Sequence, residues 1–127
     1  MREQDRNTRT KLVLSTLLIL AVTLPLSGLR LNPRWRAIVW YPAITPRNVL
    51  ELVLNVCLYV PFGYWLMRST KATPPSVRTV VAVAFLLSLA IETSQLFGRR
   101  RFPSLDDLVT NTTGAWIGAA IARSRKS

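Results

Sequence analysis

Histidine is absent from this chain of 127 residues, and cysteine occurs once, as Cys57. Without His, neither a Ser-His nor a Cys-His nucleophile can be assembled within the chain. One Cys excludes an intramolecular disulfide, and with no His or Cys pair the usual zinc ligands are missing. Glycine is sparse at five residues, and none of them forms a phosphate-cradling loop. No metal or cofactor is expected. Acidic residues are also few, six against seventeen Lys and Arg, for a net charge of +11. Two of the six, Glu3 and Asp5, lie in the N-terminal tail; the other four are Glu51, Glu92, Asp106 and Asp107.

Apolar residues make up half of the chain and are collected in runs. Leu12 to Leu29 holds 18 residues without a charge, Val49 to Met67 holds 19 with only Glu51, and Thr79 to Phe97 holds 19 with only Glu92. A bilayer core needs about 20 helical residues. The first run is longer than a signal-peptide core and lacks a clean cleavage site, so it reads as a retained span. The fourth run, Leu105 to Ala122, is polar in its first half, LDDLVTNTTG. It reads as a span whose polar half faces other helices, with an amphipathic surface helix as the alternative. The predicted fold is therefore all-α, a polytopic membrane protein with four transmembrane helices. Its domain is residues 12–122, between a basic tail (1–11) and a second basic tail (123–127).

Positive charge flanks every run: Arg2, Arg6, Arg9 and Lys11; Arg30, Arg34, Arg36 and Arg47; Arg68, Lys71 and Arg78; Arg99, Arg100 and Arg101; Arg123, Arg125 and Lys126. That layout fits a lipid bilayer as partner and argues against nucleic acid. The tails and the second loop hold ten of the seventeen basic residues. The positive-inside rule then places both termini in the cytoplasm and the opposite face outside.

Spans that alternate in direction carry all four of these carboxylates to one membrane face. Ionisable groups inside a span are expensive, roughly 2.5–3.5 kcal/mol each on insertion scales, so their convergence points to a buried polar site. At about 1.5 Å per residue, Asn55, Glu92 and Asn111 reach a similar depth of roughly 9–10 Å on three helices, with Glu51, Gln95 and Asp107 in a layer roughly 3–5 Å in. Each set forms one helical stripe: Glu51 and Asn55; Ser88, Glu92 and Gln95; Asp107, Asn111, Gly114 and Gly118. Gly114 and Gly118 make a small-xxx-small step for close helix approach. Two readings stand side by side. In one, the carboxylates pair with Arg101 or Arg47 and the amides bridge helices, so the network only fixes packing. In the other, Arg residues and carboxylates receive a polar headgroup or small ligand, with acid–base chemistry open to a buried Glu92.

Pro61 removes a helical hydrogen bond, and together with Gly63 it is expected to end the second helix. Tyr59, Phe62, Tyr64 and Trp65 would form an interfacial aromatic belt, as would Trp35, Trp40 and Tyr41 in the proline-bearing loop from Arg30 to Arg47. Cys57 is expected to be a buried small apolar residue.

The segments NVCLYVPFG (Asn55 to Gly63), SLAIETSQ (Ser88 to Gln95) and RFPSLDDLVTNTTGAWIG (Arg101 to Gly118) together resemble the VanZ-like family of bacterial membrane proteins. The family pattern falls here on Asn55, Pro61, Gly63, Ser88, Ile91, Glu92, Gln95, Arg101, Asp107, Asn111, Gly114 and Gly118, all in order. Tyr59 stands where Phe is more usual, a change expected to leave the polar site untouched. The resemblance implies a small multi-span protein of the bacterial cell membrane. The founding member is associated with low-level resistance to the glycopeptide teicoplanin, and no established catalysis comes with the family. The expected role is a non-enzymatic envelope protein whose polar cluster binds or shields a lipid-linked cell-wall component or anionic headgroup. The alternative is a membrane enzyme acting on a lipid headgroup or polyprenyl phosphate. A transporter would require further copies of the chain, since four helices leave little room for alternating access. Homo-oligomerisation stays open.

Overall fold

A computed structural model describes residues 2–25, 28–41, 44–70, 72–99 and 102–125. Among these the protein is all-helical. The long helices are α1 (Arg2–Thr23), α2 (Pro46–Met67), α3 (Val77–Gln95) and α4 (Leu105–Ser124), and a single 3-10 turn covers Trp35–Ala37.

Local chemistry sets the helix ends. Pro46 occupies the first turn of α2, where its missing N–H is no loss, and Thr45 caps the same end by accepting from Asn48 N. Ser76 caps α3 through Thr79 N, and Ser104 caps α4 through Asp106 N. α1 departs from expectation at both ends. It begins in the charged tail, at Arg2, and stops at Thr23 rather than continuing to Leu29. Pro25 cannot extend it, and Gly28, at φ 73, turns the chain away.

Pro61 does not end α2, which continues to Met67. The neighbouring helix explains why. Gly63 lies on the backbone of Ala115, Gly114 on the Val56 carbonyl and Gly118 on the Val60 carbonyl; a Cβ at any of the three would overlap those atoms. This contact, made possible by three glycines, supports α2 past its proline and makes α2 with α4 the most extensive helix pair. α4 is thereby packed into the bundle, burying Asn111, Gly114, Ala115, Gly118, Ala119 and Ala122, and is not a surface helix.

The core is thin. Ile19, Tyr59, Phe62, Ala84, Ile91 and Ala115 form its centre, and Met67, Val80, Ala119 and Ala122 a second cluster toward the opposite end. Larger apolar side chains are turned outward instead: Leu14 and Leu17 on α1, Leu50 and Leu54 on α2, Phe85 and Leu86 on α3, Trp116 on α4. A water-soluble bundle rarely exposes so continuous an apolar surface. α2 and α3 are long and apolar enough to cross a membrane. Cys57 is on this outer surface, not buried. Tyr59 and Phe62 leave the expected aromatic belt for the core, where their rings meet edge to face at 6.0 Å. Tyr64 and Trp65 are half-buried beside cations: Lys11 Nζ lies 4.6 Å from the Trp65 ring centre, and Arg68 donates to the Tyr64 hydroxyl.

At the end of the bundle where α1 and α3 finish and α2 and α4 begin, the first loop folds across the third. Arg30 N donates to Phe97 O, Arg34 N to Leu96 O and Val39 N to Pro103 O, at 2.8–2.9 Å. The Arg34 guanidinium stacks over Phe102. Gly98 admits Pro25 at this crossing, since a Cβ there would meet the proline ring at 2.6 Å.

Candidate polar cleft and its buried tiers

The bundle end beneath these loops holds two tiers of polar side chains. Asn55, Glu92 and Asp107 form the upper tier. Tyr59, Ser88 and Asn111 form the lower one, each a helical turn deeper on the same three helices, or about 6 Å down. In the upper tier Asn55 Nδ2 donates to Asp107 Oδ1 at 2.7 Å, and Glu92 Oε2 accepts from the backbone N of Ser104 at 2.7 Å. Glu92, nearly fully buried, thus sits at the N-terminal end of α4, where the helix dipole favours a negative charge. In the lower tier Asn111 Nδ2 donates to Ser88 Oγ at 3.0 Å. Gln95 ties α3 to α1 by donating to Thr23 O at 3.2 Å.

The pairing differs by one turn from the register expected from helix starts. Asn55 was expected level with Asn111 and deeper than Asp107. It meets Asp107 instead, because α2 begins at Pro46, beyond the start of α4, while Asp107 lies in the first turn of α4. Asn111 then falls a turn deeper, level with Ser88. Glu51, a turn above Asn55, is left outside the tiers: it is exposed and pairs with Arg47 at 3.1 Å. Arg101 lies outside the described residues. Gly63, Gly114 and Gly118 lie where α2 and α4 touch, and Ser88 accepts from Asn111.

Tyr59 is the polar residue that sequence reasoning set aside. Its side chain is fully buried, with Ser88, Glu92 and Asp107 around its hydroxyl. Ser88 is beside the hydroxyl without hydrogen-bond geometry, so the phenol has no hydrogen-bond partner among the described residues; nor has Asn111 Oδ1. Buried polar atoms left unpaired typically cost about 1–3 kcal/mol each. The signal for Tyr59 was present in the stripe Glu51, Asn55, Tyr59, spaced i, i+4, i+8.

Beside the upper tier opens a cleft of about 740 Å³, with Arg47, Asn48, Glu51, Asn55, Gln95 and both Asp106 and Asp107 among its walls. Asp106 Oδ2 is shut off from solvent and has no hydrogen-bond partner among the described residues. The cleft thus presents a cation, carboxylates and amides together. A second groove runs along α1, between Asp5 and Leu14, with its lining on that one helix. Among the described residues no cluster of His, Cys, Asp or Glu could hold a metal ion.

Comparison with known proteins bears on the same helices. No curated protein and no solved structure matches the chain. The family described as VanZ/LLP1 matches residues 3–126, nearly the whole length, and so takes in both tiers and the glycine contacts between α2 and α4. The chain belongs to the VanZ/LLP1 family.

Proposed function

We propose that this is a four-span protein of the bacterial cell membrane, with both termini cytoplasmic, whose cleft binds the headgroup of a lipid or lipid-linked envelope component. The reading is one of binding without catalysis. In the family setting, such binding alters access of a glycopeptide such as teicoplanin to the cell surface.

The observation that carries this reading is the chemistry of the cleft wall. Arg47 supplies a cation for a phosphate, while Asp106 and Asp107 set carboxylates in the same wall. Asn48, Asn55 and Gln95 add amides that can give or take hydrogen bonds. A headgroup that carries a phosphate and also presents hydroxyl or ammonium donors satisfies both sides. A headgroup with phosphate and no such donor leaves Asp106 unanswered. The outward apolar surface of the bundle supports the membrane setting, and α1 and α4, shorter in apolar length, cross beside α2 and α3, α1 with its charged first turns exposed and α4 with Asn111 of its polar half turned inward.

Native mass spectrometry of the full chain in detergent tests this directly. Equal amounts of phosphatidylethanolamine, phosphatidylcholine and polyprenyl phosphate are offered in competition. Preferential retention of the phosphatidylethanolamine, lost in Asp106→Asn, is the expected result. Retention of all three alike contradicts the reading, and release of a cleaved headgroup would turn it toward enzymatic action.

A further inference from the structure

The lower tier is chemically incomplete in a specific way. The Tyr59 O–H is a donor in need of an acceptor, and Asn111 Oδ1 is an acceptor in need of a donor. Both side chains are almost wholly buried, Tyr59 at 0 % and Asn111 at 2 % exposure, and both border Ser88. Neither group belongs to the wall of the cleft.

We infer that Tyr59, Ser88 and Asn111 hold one buried water molecule inside the bundle. The donor–acceptor inventory selects the guest. A water accepts from the phenol and donates to the amide oxygen in the same position. A metal ion takes only lone pairs, so it would satisfy Asn111 Oδ1 and strand the Tyr59 proton. An ammonium group only donates and fails for the same reason. The second hydrogen of the water is left to Ser88 Oγ, which both groups border. A water at this position also gives the tyrosine hydroxyl a use: with Phe at this place the water would lose its donor and, with it, its hold beside the amide oxygen. The upper tier, one turn above, forms part of the cleft wall through Asn55 and Asp107.

Water-edited solid-state NMR on the full chain in lipid bilayers tests this site. Magnetisation transferred from water protons is followed at Tyr59 and Asn111, and at Phe62 and Ala115, buried neighbours on the same two helices. The inference expects build-up several-fold faster at Tyr59 and Asn111 than at the two apolar neighbours. It also expects the fast build-up at Asn111 to slow in Tyr59→Phe, whose ring fits the same space. Equal, slow build-up at all four positions overturns it and means that the two polar groups find each other directly. Fast build-up at Asn111 that is unchanged in Tyr59→Phe overturns the bridging geometry.

Discussion

Gly118 on α4 rests on the backbone carbonyl of Val60 on α2, with no space between them for a methyl group. Gly114 and Val56 repeat the relationship one turn toward the cleft. The obstacle in both cases is main chain, which cannot rotate aside as a side chain could. Gly118→Ala or Gly114→Ala must therefore push the helices apart, at a cost of about 1–3 kcal/mol as for other overpacked sites. A lowered unfolding midpoint in a detergent thermal-shift series is the expected outcome. A methyl group tolerated at both positions would show that α2 and α4 are not in this contact.

Asn55 and Asp107 are bonded at 2.7 Å across α2 and α4. Interhelical polar pairs in membranes are coupled by about 0.6 kcal/mol on average and about 1.7 at most. A short bond to a carboxylate belongs toward the upper part of that range. The double-mutant cycle of Asn55→Leu with Asp107→Asn measures the coupling, and independence of the two substitutions would dissolve the upper tier as drawn.

Arg47 and Glu51 are paired on the surface, both largely exposed. Exposed pairs contribute little, because both partners keep most of their hydration. Glu51→Gln is expected to leave the unfolding midpoint unchanged within error. A marked destabilisation would place Glu51 inside the polar cluster after all.

Cys57 is on the outside of the bundle, near the middle of α2. If α2 crosses the membrane, its thiol faces acyl chains. A membrane-soluble maleimide is expected to label it in intact membranes, while a charged, impermeant one is not. Labelling by the impermeant reagent would mean that this stretch of α2 faces water.

Which parts of this arrangement were legible in the sequence follows from what each depends on. Helix α3 could be read closely, because its apolar run and its Ser88–Glu92–Gln95 stripe are local features. The convergence of Asn55, Glu92, Asp107 and Asn111 was legible from span direction alone. Their pairing was not, because a one-turn register depends on how far Pro46 carries α2 beyond the start of α4. Pro61 was misread for a related reason: a proline weakens its own helix, but Gly63 and Gly118 let a neighbouring backbone support its continuation. Tyr59 and Cys57 exchanged expected places, as helical phase on α2 sets Tyr59 toward α4 and Cys57 away from it. The family resemblance, carried by motifs within residues 48–122, extends to nearly the whole chain.

The central claim is that the cleft faces the outside of the cell while the α2–α3 connection faces the cytoplasm. Two exposed positions report on it: Leu31 in the loop over the cleft and Ala72 between α2 and α3. In a Cys57→Ala background, Leu31→Cys and Ala72→Cys are treated in whole cells with an impermeant maleimide. The account predicts labelling of Leu31→Cys at once and of Ala72→Cys only after lysis. Labelling of Ala72→Cys in intact cells, with Leu31→Cys protected, would put the cleft on the cytoplasmic side and contradict a role at the cell surface.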